Sequence, residues 1–232
     1  MNSSELSEAL PAIEFANLRV HVLRALREGI IVGRIPQGSV LVETRLANQL
    51  NVSRGTVREA LLELQQEQLV EVAPSGRPQV RTLDSRMVRE IFEVRGALEG
   101  LAADLIARSP DRTEKQARLR EQLSVFDEHR DGSMLDLVDA DLSFHRTLCE
   151  LSGNEMLLGS WRSLEGPLRM AIMHAGTERA RVNITAEKHE PFVAALDEGV
   201  DHPGEVVAAA LMATVDTLTT DDESSDRTGA HS

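Results

Sequence analysis

Apolar and polar residues alternate with the period of an α-helix over the first third of the chain. The first predicted helix spans about residues 15–32, where apolar side chains recur at every fourth position, at Leu18, Val22, Leu26 and Ile30. Two shorter helices are predicted at 43–50 and 54–65. Two short strands, at 69–72 and 78–82, flank a Pro-Ser-Gly-Arg turn. The pattern therefore favours a unit of three helices and a small β-hairpin over residues 15–83.

Beyond Asp84 strand signals become rare, and long amphipathic segments follow one another. Turn and breaker residues separate six predicted helices, which lie at about 85–108, 111–130, 134–151, 155–175, 185–198 and 203–219. Gly96 and Gly100 are expected to bend or split the first of these, and Gly166 with Pro167 to kink the fourth. We expect a mainly α protein in which residues 84–219 form an all-α antiparallel bundle of six or seven helices.

Composition agrees with this division. The chain has 232 residues, enough for one large or two modest domains, and 41% of them are hydrophobic, which suffices for a packed core. Phe occurs five times, Trp once and Tyr never, so the core must be aliphatic, which favours helices over a β-sandwich. The single cysteine, Cys149, excludes an intrachain disulfide and a thiolate metal cluster. At the two ends we expect a flexible arm (residues 1–14) and a disordered acidic tail (residues 220–232).

The sequence gives no sign of export or of a membrane partner. The first 14 residues lack the basic region and apolar run of a secretory signal. Every apolar stretch falls short of the roughly 18 residues that a membrane span needs. We therefore expect a cytoplasmic protein.

The distribution of charge along the chain restricts the possible functions more than the net charge does. A formal charge of −13 excludes a protein that coats nucleic acid and a polybasic membrane-surface protein. Residues 15–83, however, contain nine Arg and six Glu and carry +3, whereas residues 84–232 hold 16 basic and 29 acidic residues and carry −13. The mildly basic first unit is compatible with a small, specific DNA contact made by an otherwise acidic protein.

Residues 44–65 have the layout of a helix-turn-helix, with a three-residue turn between two helices. Ser53 at the end of the turn can cap the second helix. The polar residues at the start of that helix then remain on its outer side, where a recognition helix presents donors to the major groove: Arg54, Thr56 and Arg58.

The hairpin after this helix has the character of a wing. Gly76 at its tip allows a close approach to the DNA backbone, and Arg77 is placed to reach the minor groove. The alternative interpretation is a structural helical hairpin whose arginines are merely solvated. Helix, turn, capped Arg-rich helix and hairpin together favour DNA binding.

The segment LANQLNVSRGTVREALLELQQEQLVEVAPSGRPQV resembles the winged-helix domain of the GntR family of bacterial transcription regulators. The resemblance covers about residues 15–83 and implies that Arg54, Thr56, Arg58 and Gly76 contact DNA, with Arg45 as a further phosphate contact. Gly55 stands where proline is common in the family, a change that the first turn of a helix tolerates.

The remainder resembles the FadR-type effector domain, also called FCD. The matching features are an Arg95…Glu99 pair, the sequence Asp-Leu-Ser-Phe-His at 141–145, the turn 152–154 and a later helix with His189. In the family a third histidine near the end of the last helix completes a metal site. Here that position is Thr214, a poor ligand, so water or effector would have to fill the vacancy.

Independently of the resemblance, Asp141 and His145 are four residues apart and share one face of a helix. With His189 from another helix they could bind zinc, nickel or manganese, which accept carboxylate and imidazole ligands. The alternatives are an ordinary ion pair between Asp141 and His145 and a hydrogen-bonded core histidine at 189. His174 or His202 could replace the missing ligand, although surface positions suit both better.

Three further residues are candidates for contact with an effector. Arg95 inside the bundle could clamp a carboxylate, or pair with Glu99 instead. Asn154 fits a helix N-cap at least as well as a ligand contact, and Arg162 could line a cavity or solvate a helix.

The sequence therefore predicts a homodimeric transcription regulator and not an enzyme. The dimer would bind double-stranded DNA with a short inverted repeat, because operator symmetry mirrors protein symmetry. A small organic acid, held directly or through metal, would control a repressor. One alternative is the same regulator without metal, holding an effector such as an acyl-CoA by packing alone. A remote alternative is a small metal-dependent hydrolase, which would need an open coordination position and a general base.

Overall fold

The computed structural model describes residues 13–219, and their side chains from residue 18. The chain divides into two compact units, residues 1–82 and 83–232. The predicted arm lies outside the described residues except for its last two positions, which are helical, and the predicted tail lies outside them entirely. The architecture is mainly α, as predicted, with one two-stranded sheet among the described residues.

The first unit contains three helices followed by a hairpin. Its elements are α1 (Ile13–Ile31), α2 (Glu43–Leu50), α3 (Arg54–Gln66), β1 (Val70–Val72) and β2 (Pro78–Val80). The four-residue spacing in α1 buries Val22, Leu26 and Ile30, and α1 packs against α3. The strands pair antiparallel with Val70 opposite Val80, shorter than the predicted strands by one residue in β1 and two in β2.

The second unit is all helical in its described residues, but it holds nine helices, more than the six or seven predicted. They are α4 (Ser85–Ala107), α5 (Arg112–Glu121), α6 (Leu123–His129), α7 (Met134–Leu151), α8 (Glu155–Arg162), α9 (Glu165–Ala175), α10 (Thr177–Asn183), α11 (Ala186–Ala194) and α12 (Pro203–Thr219). The core consists mainly of aliphatic side chains, with Trp161 and several Phe residues among them.

The breaks fall at different places from those expected. The predicted helix 111–130 divides at Gln122, and 155–175 divides at Ser163 and Leu164 rather than kinking at Pro167. Pro167 instead lies in the first turn of α9, where its missing N–H leaves no intrahelical bond unmade. Helix α10 lies in a stretch that carried no helix prediction.

Helix α4 is continuous through Gly96 and Gly100, so the expected split does not occur. The reason is the neighbouring helix α12, whose backbone lies against these glycines. A Cβ on Gly100 would lie 2.8 Å from the carbonyl oxygen of Gly204, and one on Gly96 would lie 3.6 Å from the Cα of Ala208. The glycines allow the two helices to approach closely.

Within the described residues, each helix is too short or too polar to cross a membrane.

Candidate metal centre and DNA interface

The turn between α2 and α3 is built as the sequence predicts. Asn51 ends α2 in the left-handed conformation, with φ 53°. Ser53 caps α3, because its hydroxyl accepts a hydrogen bond of 3.1 Å from the backbone N–H of Thr56. Val57, the next residue of α3, is fully buried and anchors it.

The cap leaves the start of α3 exposed to solvent. Arg54 and Arg58 are exposed and Thr56 is half-buried, with its hydroxyl 2.8 Å from that of Ser53. Arg58 is not merely solvated, because its guanidinium donates two hydrogen bonds, of 2.9 and 2.7 Å, to the carboxylate of Glu43 at the start of α2. The bidentate pair fixes Arg58 across the turn and lowers the pKa of Glu43.

The wing tip is formed by Gly76 and its neighbours. Gly76 has φ +76°, a conformation that favours glycine, and its N–H donates to the carbonyl of Ala73. Arg77 is exposed beside it, and Arg45 is exposed on α2. These placements are compatible with the predicted DNA contacts at each of the three positions.

In the second unit, the three predicted metal ligands are buried together. Asp141 and His145 lie on α7 and His189 lies on α11, and each side chain is at most 7% exposed. The Nε2 atom of His189 lies 3.1 Å from both Nε2 of His145 and Oδ1 of Asp141, and the latter two atoms are 3.8 Å apart. Ligands bound to zinc at about 2.1 Å lie roughly 3.0–3.5 Å from one another. The cluster therefore has the dimensions of three ligands on one side of a metal ion.

The outer nitrogens of both imidazoles are engaged with acceptors. Nδ1 of His145 lies 2.7 Å from a carboxylate oxygen of Glu99, and Nδ1 of His189 lies 2.8 Å from the carbonyl oxygen of Thr185. Each Nδ1 therefore carries a hydrogen, and in the neutral form of either ring the lone pair of Nε2 points into the cluster. Two lone pairs and a carboxylate oxygen this close repel one another unless a proton or a metal cation lies among them.

Glu99 on α4 connects this cluster to the rest of the core. Besides His145, its carboxylate accepts hydrogen bonds from Arg95 Nε at 2.7 Å and from Trp161 Nε1 at 2.9 Å. Burial favours a higher pKa, but the charges and hydrogen bonds of His145 and Arg95 outweigh it and hold the pKa of Glu99 at about 2. Glu99 is therefore a buried carboxylate that orients His145.

Asp141 is ionised for the same reason. Its burial raises the pKa, while the hydrogen bond with His189 and the charges of His145, His189 and Arg95 lower it well below the usual range. Burial, followed by the charge of Arg95, lowers the pKa of His145, which favours the neutral, ligating form.

Two buried polar atoms beside the cluster have no hydrogen-bond partner in the described part of the chain. They are Nη2 of Arg95 and Oδ2 of Asp141, which lie 4.0 Å apart. Both residues line a cavity of about 90 Å3, measured for the centre of a water-sized sphere. Buried groups without partners are costly, so a polar ligand or an ion in the cavity would stabilise this arrangement.

The same cavity is bounded by α12, where it meets Thr214. The hydroxyl of Thr214 lies 3.4 Å from the carbonyl oxygen of Ala210. His174 and His202 are exposed and lie outside the metal-ligating cluster found in residues 13–219. Neither takes the place of the family's third histidine.

Two predicted effector contacts are not brought to this cavity. The side chain of Asn154 caps α8 by accepting from the N–H of Leu157, and exposed Arg162 lies 3.4 Å from a carboxylate oxygen of Glu150. For both, the structure favours the alternative role over effector contact. Arg95 does line the cavity and also forms its pair with Glu99, so both of its predicted roles are compatible with one position.

Sequence reasoning missed three residues of these sites. Glu43 and Trp161 act through long-range hydrogen bonds that no local spacing encodes. Lys188 lines the cavity, and its position next to His189 in the sequence was a signal that could have identified it.

The two units match two known families. Residues 18–82 match the description "Bacterial regulatory proteins, gntR family", and residues 90–214 match the FCD domain. The second match alone spans more than half of the chain.

Curated relatives match most of the chain. It is 30% identical over 185 residues to a probable D-xylose utilization operon transcriptional repressor of Paenarthrobacter nicotinovorans, covering 78% of this chain and 81% of the relative. It is 28% identical over 184 residues to the gluconate operon transcriptional repressor of Bacillus licheniformis, covering 78% and 72%.

Solved structures share the fold. E. coli McbR/YncC superposes with a TM-score of 0.64 at 24% identity, covering 87% of this chain and 96% of the other. A putative transcriptional regulator GntR from Rhodococcus sp. RHA1 gives 0.55 at 24% identity, covering 92% and 99%.

Proposed function

This chain belongs to the gntR family of bacterial regulatory proteins and carries an FCD domain, so it is a DNA-binding transcription regulator, and we propose that it is a metal-containing repressor controlled by a small carboxylate. The names of two relatives, both operon repressors, support repression. Because a regulator of this kind acts on chromosomal DNA, we propose that it works in the cytoplasm.

The recognition helix α3 supports DNA reading through its exposed start. Arg54 is exposed, the hydroxyl of half-buried Thr56 lies 2.8 Å from that of Ser53, and Arg58 pairs with Glu43. Gly76 and Arg77 on the wing and Arg45 on α2 supply contacts to the DNA backbone. We propose that Arg54 and Arg58 read bases, with Glu43 positioning Arg58.

The test begins with an operator selected from random DNA, whose affinity is then measured by fluorescence anisotropy. We expect Arg54→Ala or Arg58→Ala to weaken binding by about 1–3 kcal/mol, because a bidentate contact to a base is lost. Arg118→Ala, an exposed arginine of α5, removes the same charge and should leave affinity unchanged. Equal affinities for all four proteins would reject the assignment.

The metal proposal rests on one observation, the convergence of the Nε2 atoms of two imidazoles and a carboxylate oxygen on one point. Zinc, nickel or manganese fits this donor set. When bound, such an ion supplies a Lewis acid that accepts an oxygen of a carboxylate. Asp141, His145 and His189 would hold the ion, Glu99 would orient His145, and Arg95 would meet the second oxygen of the effector.

Metal content is checked by elemental analysis of protein supplemented with zinc, nickel or manganese. We expect one ion per chain in the wild type and in His174→Ala, and loss of the ion in His145→Ala and His189→Ala. Thr214→His should tighten metal binding, because an imidazole replaces a poor ligand at the edge of the same cavity. A wild type without stoichiometric metal would refute the site. An unchanged metal affinity in Thr214→His would show that residue 214 does not contact the ion.

The cavity favours a small effector over an acyl-CoA. Its volume of about 90 Å3 is several times the roughly 10–15 Å3 that one buried water needs, which suits a small molecule. Charged Arg95, Asp141 and Lys188 line it, which suits an anion better than an acyl chain. The relatives are regulators and give no support to a hydrolase. The two carboxylates at the cluster, Glu99 and Asp141, are each engaged with a histidine instead of serving as a general base.

We further propose that the protein is a homodimer that binds an inverted repeat. The support comes from one face of α4, called the α4 stripe here, which has apolar residues at alternating spacings of four and three: Met87, Ile91, Val94, Leu98, Leu101 and Leu105. This is the spacing of a helix that packs along another helix. Val94 and Leu101 are 51% and 46% exposed within the chain, so the stripe has room for a partner.

Control by the effector requires that it bind two conformations unequally. A carboxylate that closes on the metal and Arg95 favours the conformation in which α7, α11 and α4 hold these groups together. Relief of repression follows when that conformation has the lower operator affinity.

A further inference from the structure

The cavity beside the metal cluster is lined by two cations, although the unit around it is acidic. Residues 84–232 carry 29 acidic and 16 basic residues. The cavity lining nevertheless contains two cations, Arg95 and Lys188, and one acid, Asp141. A divalent ion on Asp141 and the two histidines would raise the local positive charge. Because Glu99 pairs with Arg95, the charges of the four side chains cancel, and the divalent ion would give the site a net positive charge that one carboxylate does not fully neutralise.

The two cations differ in depth. Arg95 is 2% exposed, and its Nη2 is an unpartnered buried donor next to the metal cluster. Lys188 is exposed and lies in the first turn of α11, one residue before His189. The cavity therefore has a cation in its interior and a second cation on its exposed side.

Lysine is rare in this protein, which makes its presence here informative. The chain has 23 arginines and only two lysines, Lys115 and Lys188. The ammonium of Lys115 is bound locally, 3.0 Å from a carboxylate oxygen of Asp111 and 2.9 Å from the hydroxyl of Ser109. No ion pair involves the ammonium of Lys188 within residues 13–219, so it is available to a ligand. A lysine presents a compact, movable charge that suits the free end of a small molecule.

We infer that the effector is a small dicarboxylate whose first carboxylate lies at Arg95 and the metal cluster and whose second carboxylate pairs with Lys188. This inference rests on the proposed function and adds to it a second anion subsite. The cavity volume of about 90 Å3 suits a small molecule.

The test uses full-length, zinc-supplemented protein and two acids that differ only at the far end. L-malate carries a carboxylate where 2-hydroxybutyrate carries a methyl group, and both keep the same hydroxy-carboxylate head. By isothermal titration calorimetry we expect malate to bind about 5- to 10-fold more tightly, since a partly exposed charge pair contributes this much. Lys188→Gln should abolish the preference without loss of zinc, and Lys115→Gln should retain it.

A second readout uses the two lysines directly. Acetylation by an amine-reactive reagent, followed by mass spectrometry, measures the accessibility of both ammonium groups in one sample. We expect malate to protect Lys188, 2-hydroxybutyrate to leave it reactive, and Lys115 to react equally in both.

Several results would overturn the inference. Equal affinities for the two acids, or a preference that survives in Lys188→Gln, would show that Lys188 binds no second carboxylate. Tighter binding of gluconate, a monoanion with a hydroxylated tail, would assign the outer part of the cavity to hydroxyl groups instead. Binding of the acids with equal strength would leave the small-carboxylate proposal intact. Binding of none of them, with or without zinc, would reject that proposal and this inference together.

Discussion

At the scale of single residues, Glu99 has the greatest influence on the second unit. Its carboxylate accepts from three donors, on Arg95, His145 and Trp161. Because all three partners donate, only an ionised carboxylate satisfies them together. A buried charge of this kind adds little net stability when paired, but its removal leaves the buried guanidinium of Arg95 uncompensated.

Glu99→Gln tests this role. The amide offers one acceptor oxygen, and its NH2 group must face a donor, so we expect the imidazole of His145 to lose its fixed orientation. Metal affinity should fall by about 10–100-fold, and the free energy of unfolding by about 3–5 kcal/mol. Competition with a chelator measures the first quantity and urea denaturation the second. Glu93→Gln, an exposed position on the same helix, is the control, and a Glu99→Gln protein with wild-type metal affinity would contradict the role.

At the scale of elements, the crossing of α4 and α12 sets the geometry of the cavity in which we propose that the effector binds. Arg95 and Glu99 project from α4, and Thr214 lies on α12. The two helices approach through Gly100 and Gly204, where each backbone touches the other. The glycines therefore determine how far α12 lies from the metal cluster.

Gly100→Ala should disturb this crossing, because the new Cβ would lie 2.8 Å from the carbonyl oxygen of Gly204. We expect a loss of about 1–3 kcal/mol in the free energy of unfolding, measured by urea denaturation. Gly159→Ala in α8 is the matched control. Its Cβ meets nothing within 4 Å, so the same change should stabilise the protein by about 0.5–1 kcal/mol. Equal effects of the two substitutions would argue against a tight crossing.

At the scale of the whole molecule, the α4 stripe of the second unit bears on the proposed symmetry of the operator. In the proposed dimer two DNA-binding units would bind an inverted repeat, and the α4 stripe, whose apolar residues have coiled-coil spacing, would supply the interface. Its exposed members Val94 and Leu101 are seven residues apart, two turns along one face of α4.

Val94→Glu and Leu101→Glu should weaken the dimer, because each places a charge in an apolar interface. Sedimentation velocity should then show monomers at concentrations where the wild type is dimeric, and affinity for a full inverted repeat should fall toward that for a half-site. Val182→Glu, at a 63% exposed position on α10, serves as the control. A wild type that sediments as a monomer would refute the dimer. Val94→Glu and Leu101→Glu variants that remain dimeric would show that the interface lies elsewhere.

Features that depend on local spacing were predictable from the sequence alone. Ser53 caps α3 and leaves Arg54 exposed because capping and helical period act over a few residues. Asp141 and His145 share a face of α7 because they are four residues apart. The pairing of both with His189 was predictable only through resemblance to the FCD domain, since 44 residues separate His145 from His189.

Features that depend on neighbours distant in the sequence could be seen only in the folded structure. Gly96 and Gly100, which usually weaken a helix, lie within a continuous α4 because α12 covers them. Glu99 orients His145 across 46 residues, and Lys188 reaches the cavity only because α11 packs beside α12. Local propensity encodes none of these contacts, because each is stabilised by side chains and backbone that meet only after the helices have packed.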